Sequence, residues 1–130
     1  MANLPDNYSY SEDHEWLAAA PDDVVGKTVR VGITSVATER LGEVVFAELP
    51  AVGDSITAGD SCGEVESTKS VSDLFAPVTG TVTAVNEGVH DDYSVINNDP
   101  FGEGWLFEVE VSEAGELMDA AAYAAANGVE

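Results

Sequence analysis

Lys69 is the residue of this chain best suited to covalent chemistry, and it lies in the stretch VESTKSVSD at positions 65–73. Lysine occurs at one other position, Lys27, at the start of a different predicted strand. A lysine amine is a good acyl acceptor, because an amide bond to it can hold a prosthetic group on a flexible stem. The simpler alternative is a charged loop residue that aids solubility, but elsewhere the chain uses Asp and Glu for that purpose. Lys69 is therefore the leading candidate for the functional residue.

Two predicted strands and the turn between them position this lysine. Residues 62–66 carry apolar side chains in alternation, and residues 71–76 are also rich in apolar types, which is typical of strands. Between them, Ser67, Thr68 and Ser70 are small and hydroxylated. A turn of this composition holds the amine beyond a rigid scaffold, with room for a modifying enzyme to approach.

Several further segments predict short strands separated by turns rich in glycine. Residues 28–33 alternate between polar and apolar types, so Val29, Val31 and Ile33 are expected on one buried face. The sequence SITA at 55–58 returns in similar form as TVTA at 81–84, a weak repeat that suggests two similar half-sheets with the lysine turn between them. The other predicted strands span residues 14–17, 44–49, 55–57, 81–85 and 105–111.

Helices are predicted at two places only. Thr34 or Ser35 can begin a short helix that runs to about residue 41, and Gly42 fits its left-handed end. Residues 1–12 are expected to be a loosely held lead-in, and residues 86–104 are expected to be mostly loop.

The second predicted helix spans residues 120–126 near the C-terminus. Asp119 can cap it, Gly128 lies beyond its end, and Met118 and Tyr123 occupy the positions of a hydrophobic staple. We expect Tyr123 to dock this helix on the sheet. Many short strands with little helix predict a mainly β fold, a small sandwich or barrel.

The charge balance is extreme, because 25 Asp and Glu residues against 4 Lys and Arg give a formal net charge of −21. This excludes binding to nucleic acid through phosphate contacts, and it argues against anionic membrane surfaces. Mimicry of nucleic acid, chelation of divalent metals and solvation in a salt-saturated cytoplasm remain. The carboxylates are dispersed without blocks, which favours general hydration and a halophilic source.

The chain has the composition of one soluble domain over residues 1–130. No apolar run approaches a membrane span, and the first residues lack the features of a signal peptide. The single cysteine, Cys62, cannot form an internal disulfide, which agrees with a reducing compartment. We therefore expect a cytoplasmic protein in which Cys62 is a buried structural thiol.

Other chemical motifs are weak. His14 and His90 are far apart in sequence, which disfavours a metal site. No serine, histidine and acid set, P-loop or nucleophile elbow is present. The large aromatic side chains are most simply core residues on alternating strands, namely Trp16, Phe46, Trp105 and Phe107.

A set of motifs in order along nearly the whole chain resembles one known family, the H protein of the glycine cleavage system. The motifs are YSEDHEW at 10–16, GIT at 32–34, LGEVVFAELP at 41–50, VESTKSVSD at 65–73, APVTG at 76–80 and GEGWL at 102–106. The resemblance implies a barrel-sandwich hybrid of two small sheets, as in lipoyl and biotinyl carriers. It also implies lipoate in amide linkage on Lys69 and a carrier that is not itself an enzyme.

The partners implied by the resemblance are the enzymes that use the lipoyl arm. They are a pyridoxal-phosphate glycine decarboxylase, a folate-dependent aminomethyltransferase, a flavin dihydrolipoyl dehydrogenase and the lipoate-attaching enzyme. The aminomethyl cargo is cationic and prone to hydrolysis, so a cleft that excludes water and offers a carboxylate would protect it. Glu15 is the candidate for that contact, and a plain surface glutamate is the alternative. Glu66 and Asp73 are candidates for recognition by the attaching enzyme, or are ordinary solvated acids.

Other carriers fit the sequence less well. A biotin carrier would place its lysine between two methionines, whereas Thr68 and Ser70 flank Lys69. A lipoyl domain of a 2-oxoacid dehydrogenase would lack the HEW and GEGW motifs. A lipoate relay to other enzymes, or an unmodified scaffold, is the remaining alternative. Thr68 and Ser70 replace the Val or Ala usual in the family, and residues 88–97 differ from its usual loop.

Overall fold

The computed structural model describes residues 4–127, in which nine strands and four short helices are present. The strands are β1 (Ser9–Tyr10), β2 (Glu15–Leu17), β3 (Thr28–Ile33), β4 (Val44–Glu48), β5 (Ser55–Ile56), β6 (Ser61–Ser67), β7 (Val71–Phe75), β8 (Val78–Val85) and β9 (Phe107–Ala114). The helices are α1 (Ser35–Leu41), α2 (Glu87–Asp91), α3 (Ser94–Asn98) and α4 (Ala120–Asn127). The predicted mainly β fold with a C-terminal helix is confirmed.

The strands form two antiparallel sheets around a shared core. One sheet has six strands in the order β1-β2-β3-β9-β8-β5, and the other has three in the order β4-β6-β7. Val31, Val82 and Val109 of the large sheet lie in the same buried cluster as Val65 and Leu74 of the small sheet. The hairpin that contains Lys69 is the β6–β7 hairpin, and it belongs to the small sheet. None of the helices in residues 4–127 is long and apolar enough to cross a membrane.

Strand β3 confirms the alternation read from the sequence. Val29, Val31 and Ile33 are all buried. Gly32 lies opposite Trp16 in the neighbouring strand, and a Cβ atom there would lie 2.6 Å from the indole ring. Glycine is therefore required at this position by the close approach of the tryptophan, not by backbone conformation.

The predicted ends of α1 and α4 are confirmed where the structure describes them. The Thr34 hydroxyl accepts a hydrogen bond from the Ala37 N–H, and Gly42 ends α1 with a φ of +85°. The Asp119 carboxylate accepts a hydrogen bond from the Ala122 N–H. Tyr123 is buried, as predicted, whereas Gly128 lies outside the described residues.

The prediction of a loose lead-in was wrong for residues 9–11. Ser9 and Tyr10 form β1, which pairs with β2, and both residues are buried. The Tyr10 ring stacks on Tyr123 of α4 at a centroid distance of 4.9 Å. A contact with the other end of the chain therefore buries this segment, and local composition does not report such a contact.

The prediction of mostly loop for residues 86–104 was also incomplete, because α2 and α3 lie there. The Asn86 side chain caps α2 by accepting a hydrogen bond from the Gly88 N–H. Val89 of α2 and Ile96 of α3 are fully buried and attach both helices to the core. One buried apolar residue is enough to hold each of these short helices on the core. It is too few to produce a helical period in the sequence.

Phe46 was wrongly predicted as a core residue. It is 45% exposed, because the pairing of β4 with β6 shifts register between Val44 and Phe46. A β-bulge of this kind reverses the face that the following residue occupies. The two copies of the weak repeat both lie in the large sheet, where Ser55 pairs with Thr81, so they do not define two half-sheets.

Candidate functional site

The turn that carries Lys69 is held by the side chain of Ser67. Ser67 is buried, and its Oγ accepts hydrogen bonds from the backbone N–H groups of Lys69 and Ser70, both at 3.1 Å. The Ser67 N–H donates to the Ser70 carbonyl at 2.8 Å, and the Thr68 N–H donates to the carbonyl of Glu43 at 3.0 Å. The turn is thus fixed both internally and to the segment before β4. Ser67 stabilises the turn and does not contribute to the open space around the amine.

The side chain of Lys69 lies over Gly42, where α1 ends. A Cβ atom at Gly42 would lie 3.0 Å from Cε of Lys69, which is tighter than an ordinary van der Waals contact. Gly42 also needs its positive φ of +85°. The positive φ favours glycine at this position, and the absence of a side chain leaves the surface smooth where the exposed lysine stem rests. Lys69 itself is exposed.

Asn97 of α3 holds the backbone on both sides of residue 43. Its Nδ2 donates to the Gly42 carbonyl at 2.8 Å, and its Oδ1 accepts from the Val44 N–H at 2.9 Å. This role was not predicted, because Asn97 lies in the segment expected to be mostly loop. It positions the surface on which Lys69 lies, and it uses both halves of the amide to do so.

A cleft of about 290 Å³ begins beside the lysine turn and runs between α1 and β7. We name it the α1–β7 cleft. Its volume is close to the roughly 300 Å³ lower end of ligand pockets. Leu41 and Ser70, the neighbours of Gly42 and Lys69, both line it, so a group attached to Lys69 starts at its rim. Its charged lining residues are Asp13, Glu15, Arg40 and Asp73.

Glu15 is the buried carboxylate of this cleft. It is 2% exposed, and its oxygens accept hydrogen bonds from the Ser11 hydroxyl at 2.5 Å and from the Phe75 N–H at 3.2 Å. Burial, with a smaller contribution from the nearby Asp13, raises the pKa of Glu15 to about 8, although the hydrogen bonds from Ser11 and Phe75 oppose the rise. The alternative of a surface glutamate is wrong. When the carboxyl is ionised, each oxygen has one further acceptor position beyond these hydrogen bonds.

A hydrogen-bond chain joins the cleft wall to the C-terminal helix. The Arg40 guanidinium can only donate, so the contact of 3.0 Å between its Nη1 and the Nε2 of His14 requires that nitrogen to be unprotonated. The Nδ1–H of His14 then donates to the Tyr123 hydroxyl at 2.7 Å, and the hydroxyl groups of Tyr123 and Thr34 share a further hydrogen bond of 2.7 Å. Burial and the Arg40 charge both lower the pKa of His14, which favours this neutral state. His14 has a positive φ of 70°, a conformation rare for residues other than glycine.

Comparisons with known proteins identify the family of this chain. The sequence model of the glycine cleavage H-protein family matches residues 8–128. The chain belongs to the glycine cleavage H-protein family. It is 80% identical to the glycine cleavage system H protein of Corynebacterium aurimucosum over 130 residues, with 100% of both chains covered. It is 60% identical to that of Corynebacterium jeikeium over 127 residues, which cover 98% of this chain and 99% of the relative.

The structural comparison agrees with the sequence comparison. The crystal structure of a glycine cleavage system H protein from Mycobacterium marinum has a TM-score of 0.93 and 51% identity, and the match covers 97% of this chain and 100% of that one. The predicted barrel-sandwich hybrid fold is therefore confirmed. As a member of the H-protein family, the chain is a lipoyl carrier of the glycine cleavage system and not an enzyme. Lipoate supplies the redox and transfer chemistry when it is bound.

The remaining residues singled out in the sequence lie apart from the cleft. Cys62 is half-buried, and burial raises the pKa of its thiol to about 12, with a smaller contribution from Glu15. Such a thiol is a poor nucleophile, as predicted. His90 lies 3.8 Å from Glu87 on α2, away from His14. In the part of the chain that the structure describes, no group of three or more His, Cys, Asp or Glu side chains could hold a metal ion.

Proposed function

We propose that Lys69 is the residue of this H-family chain that carries lipoate. The observation that carries the proposal is the pairing of Lys69 with Gly42: the lysine stem lies against a glycine whose Cβ would crowd it, at the rim of a cleft. The turn below is fixed by Ser67 and has small hydroxylated neighbours. Lys27, the other lysine, is exposed just before β3 of the large sheet and does not adjoin the α1–β7 cleft.

We further propose that the α1–β7 cleft receives the loaded arm and that Glu15 provides the carboxylate facing its cationic amine. Asp13 and Asp73 line the same cleft and add negative charge. The cleft walls exclude water from the cargo, and a nearby cation favours the ionised form of Glu15 over the neutral form that burial favours. Glu15 therefore releases a proton when the cationic cargo enters. We expect hydrolysis of the cargo to be faster in Glu15→Gln.

The proposed partners are the enzymes that load, unload and reoxidise the arm. They are the glycine decarboxylase, the aminomethyltransferase, the dihydrolipoyl dehydrogenase and the lipoate-attaching enzyme, and we propose that they meet this chain in the cytoplasm. The shared core of the two sheets supports a single lipoyl-carrier domain over residues 1–130. The excess of acidic residues supports adaptation to high salt, and the halophilic source stays a prediction.

Peptide mapping of the protein from its own host tests the central proposal. We expect one lipoyl group, on the peptide that contains Lys69. Lys69→Arg should abolish the modification, whereas the matched variant Lys27→Arg should keep it, because the two changes preserve charge and differ only in position. Lipoyl on Lys27, or an unmodified Lys69 in cells that metabolise glycine through this system, would refute the proposal. Loading of the modified chain by the decarboxylase and glycine then separates a shuttle from a lipoate relay.

A further inference from the structure

The outer face of the β4–β6–β7 sheet exposes apolar side chains beside the lysine turn. Phe46 is 45% exposed and Val71 is 57% exposed. Phe46 pairs with Glu66, and Glu66 pairs with Val71, so these three side chains form one row across the sheet. Val45, the extra residue of the β4 bulge, is exposed at 46% next to Phe46. Exposed apolar surface is therefore concentrated next to the turn that carries Lys69.

The next row on the same face consists of three carboxylates. Glu48 pairs with Glu64, and Glu64 pairs with Asp73, so like charges lie directly opposite one another. Such pairs destabilise a sheet. The ion pairs found within residues 4–127 involve other side chains, so no lysine or arginine of the described chain neutralises this row. An uncompensated cost of this kind, beside exposed apolar surface, is typical of a surface that is completed by a partner.

We propose that this docking face is the surface on which the lipoate-attaching enzyme binds the unmodified chain, through an apolar contact flanked by Lys and Arg side chains of the enzyme. The docking face consists of Val45, Phe46, Glu48, Glu64, Glu66, Val71 and Asp73. The proposal rests on Lys69 being the modified residue. Charge complementarity selects a basic partner, because the face and the whole chain are strongly acidic.

The position of the bare amine selects the attaching enzyme among the basic partners. The Lys69 stem lies down on Gly42, so Nζ stays close to the protein surface. An enzyme that acylates Nζ must bring its active site to that surface, and its neighbouring surface then covers the rows that adjoin the turn. The docking face therefore fits recognition of the root of the arm.

Acylation of the unmodified chain by the purified attaching enzyme tests this inference. We expect Phe46→Ser and Val45→Ser each to raise the KM for the chain about tenfold with little change in kcat, which corresponds to about 1.4 kcal/mol of binding free energy. Val52→Ser and Val25→Ser are matched controls, because both valines are exposed outside this sheet, at 63% and 57%. The controls should acylate like the wild type. Melting curves check that each variant is folded. If Phe46→Ser is unfolded, the KM of Val45→Ser tests the proposal.

Charge is tested separately from the apolar contact. The double variant Glu48→Gln/Glu64→Gln should flatten the decline of the acylation rate with added salt, whereas Glu113→Gln, in β9 of the other sheet, should not. Calorimetric binding of the Lys69→Arg chain gives a readout without turnover. Lys69→Arg alone should keep the wild-type Kd, and adding Phe46→Ser should weaken it about tenfold.

The possible failures are distinguishable. If the wild-type chain is not acylated at Lys69, the proposed function fails. If Lys69 is acylated and the docking-face variants behave like the control variants, the assignment of Lys69 as the modified residue is upheld and the docking face is refuted. Normal acylation of the docking-face variants, combined with loss of turnover by another glycine cleavage enzyme, would assign this face to that enzyme and also overturn the proposal.

Discussion

Glu15→Gln should remove a specific pH dependence from the stability of the protein. Burial raises the pKa of Glu15 from 4.5 in the unfolded chain to about 8 in the folded one. Below the lower value the carboxyl is protonated in both states. Between the two values the unfolded chain loses this proton while the folded protein keeps it, so the free energy of unfolding falls as the pH rises. Above the higher value the loss is complete.

The size of the effect follows from the single proton involved. One proton contributes about 1.4 kcal/mol for each pH unit within this window. From about pH 5.5 to about pH 7.5, the wild type should therefore lose roughly 2 to 3 kcal/mol relative to Glu15→Gln. For a chain of this length that is a change of roughly 10 °C in the difference between the two melting temperatures. Glutamine has the same shape and retains an acceptor for the Phe75 N–H, so packing effects should be small and independent of pH.

Melting curves of the two proteins at several pH values measure this difference. Molar KCl holds the self-repulsion of the acidic chain nearly constant across the series. Glu12→Gln is the control, because Glu12 is exposed and lies three positions from Glu15. Its melting temperature should follow that of the wild type. A constant difference between wild type and Glu15→Gln at every pH would show that Glu15 titrates normally, and the proposed proton release on cargo entry would fall with it.

Three further predictions concern the lysine turn and the surface charge. Ser67→Ala removes the acceptor of two backbone N–H groups and should lower stability by about 1 to 2 kcal/mol in denaturant titrations; an unchanged midpoint would mean that water replaces the hydroxyl. Gly42→Ala should lower stability by about 1 kcal/mol through its positive φ and should also slow lipoylation of Lys69, because its Cβ crowds Cε. Gly53→Ala, at a similar φ with open space around it, should lower stability alone, and equal lipoylation rates of the two variants would contradict the crowding argument. Cooperative folding should be lost in dilute buffer, where self-repulsion is unscreened; an unchanged melting temperature from dilute buffer to molar KCl would refute this.

Features controlled by neighbouring residues were predictable from the sequence. The buried alternation of β3 follows from the twofold period of a strand, and the ends of α1 follow from a threonine cap and a left-handed glycine. The exposed position of Lys69 on the β6–β7 turn follows from its residue type and turn context. In each case the physical cause lies within a few positions of the residue concerned, so a single sequence reports it.

Features controlled by distant residues were missed. Tyr10 is ordered by stacking on Tyr123, and Asn97 reaches back to the backbone beside Gly42. The exposure of Phe46 depends on one bulge that reverses a face, and composition gives no sign of it. The high pKa of Glu15 likewise needs the burial that only the folded chain provides. The turn that carries Lys69 was therefore predictable, whereas the distant contacts that hold it and the cleft beside it were not.

The bond between Tyr123 and His14 has a practical consequence for anyone who builds on this carrier. Through this bond α4 helps to hold His14, and thereby Arg40, in place, although α4 contributes no side chain to the cleft lining. An affinity tag or fused enzyme joined directly after α4 would strain these hydrogen bonds, whereas a flexible spacer would leave them intact. Truncation before residue 120 would loosen the far wall of the cleft while leaving the lysine hairpin whole.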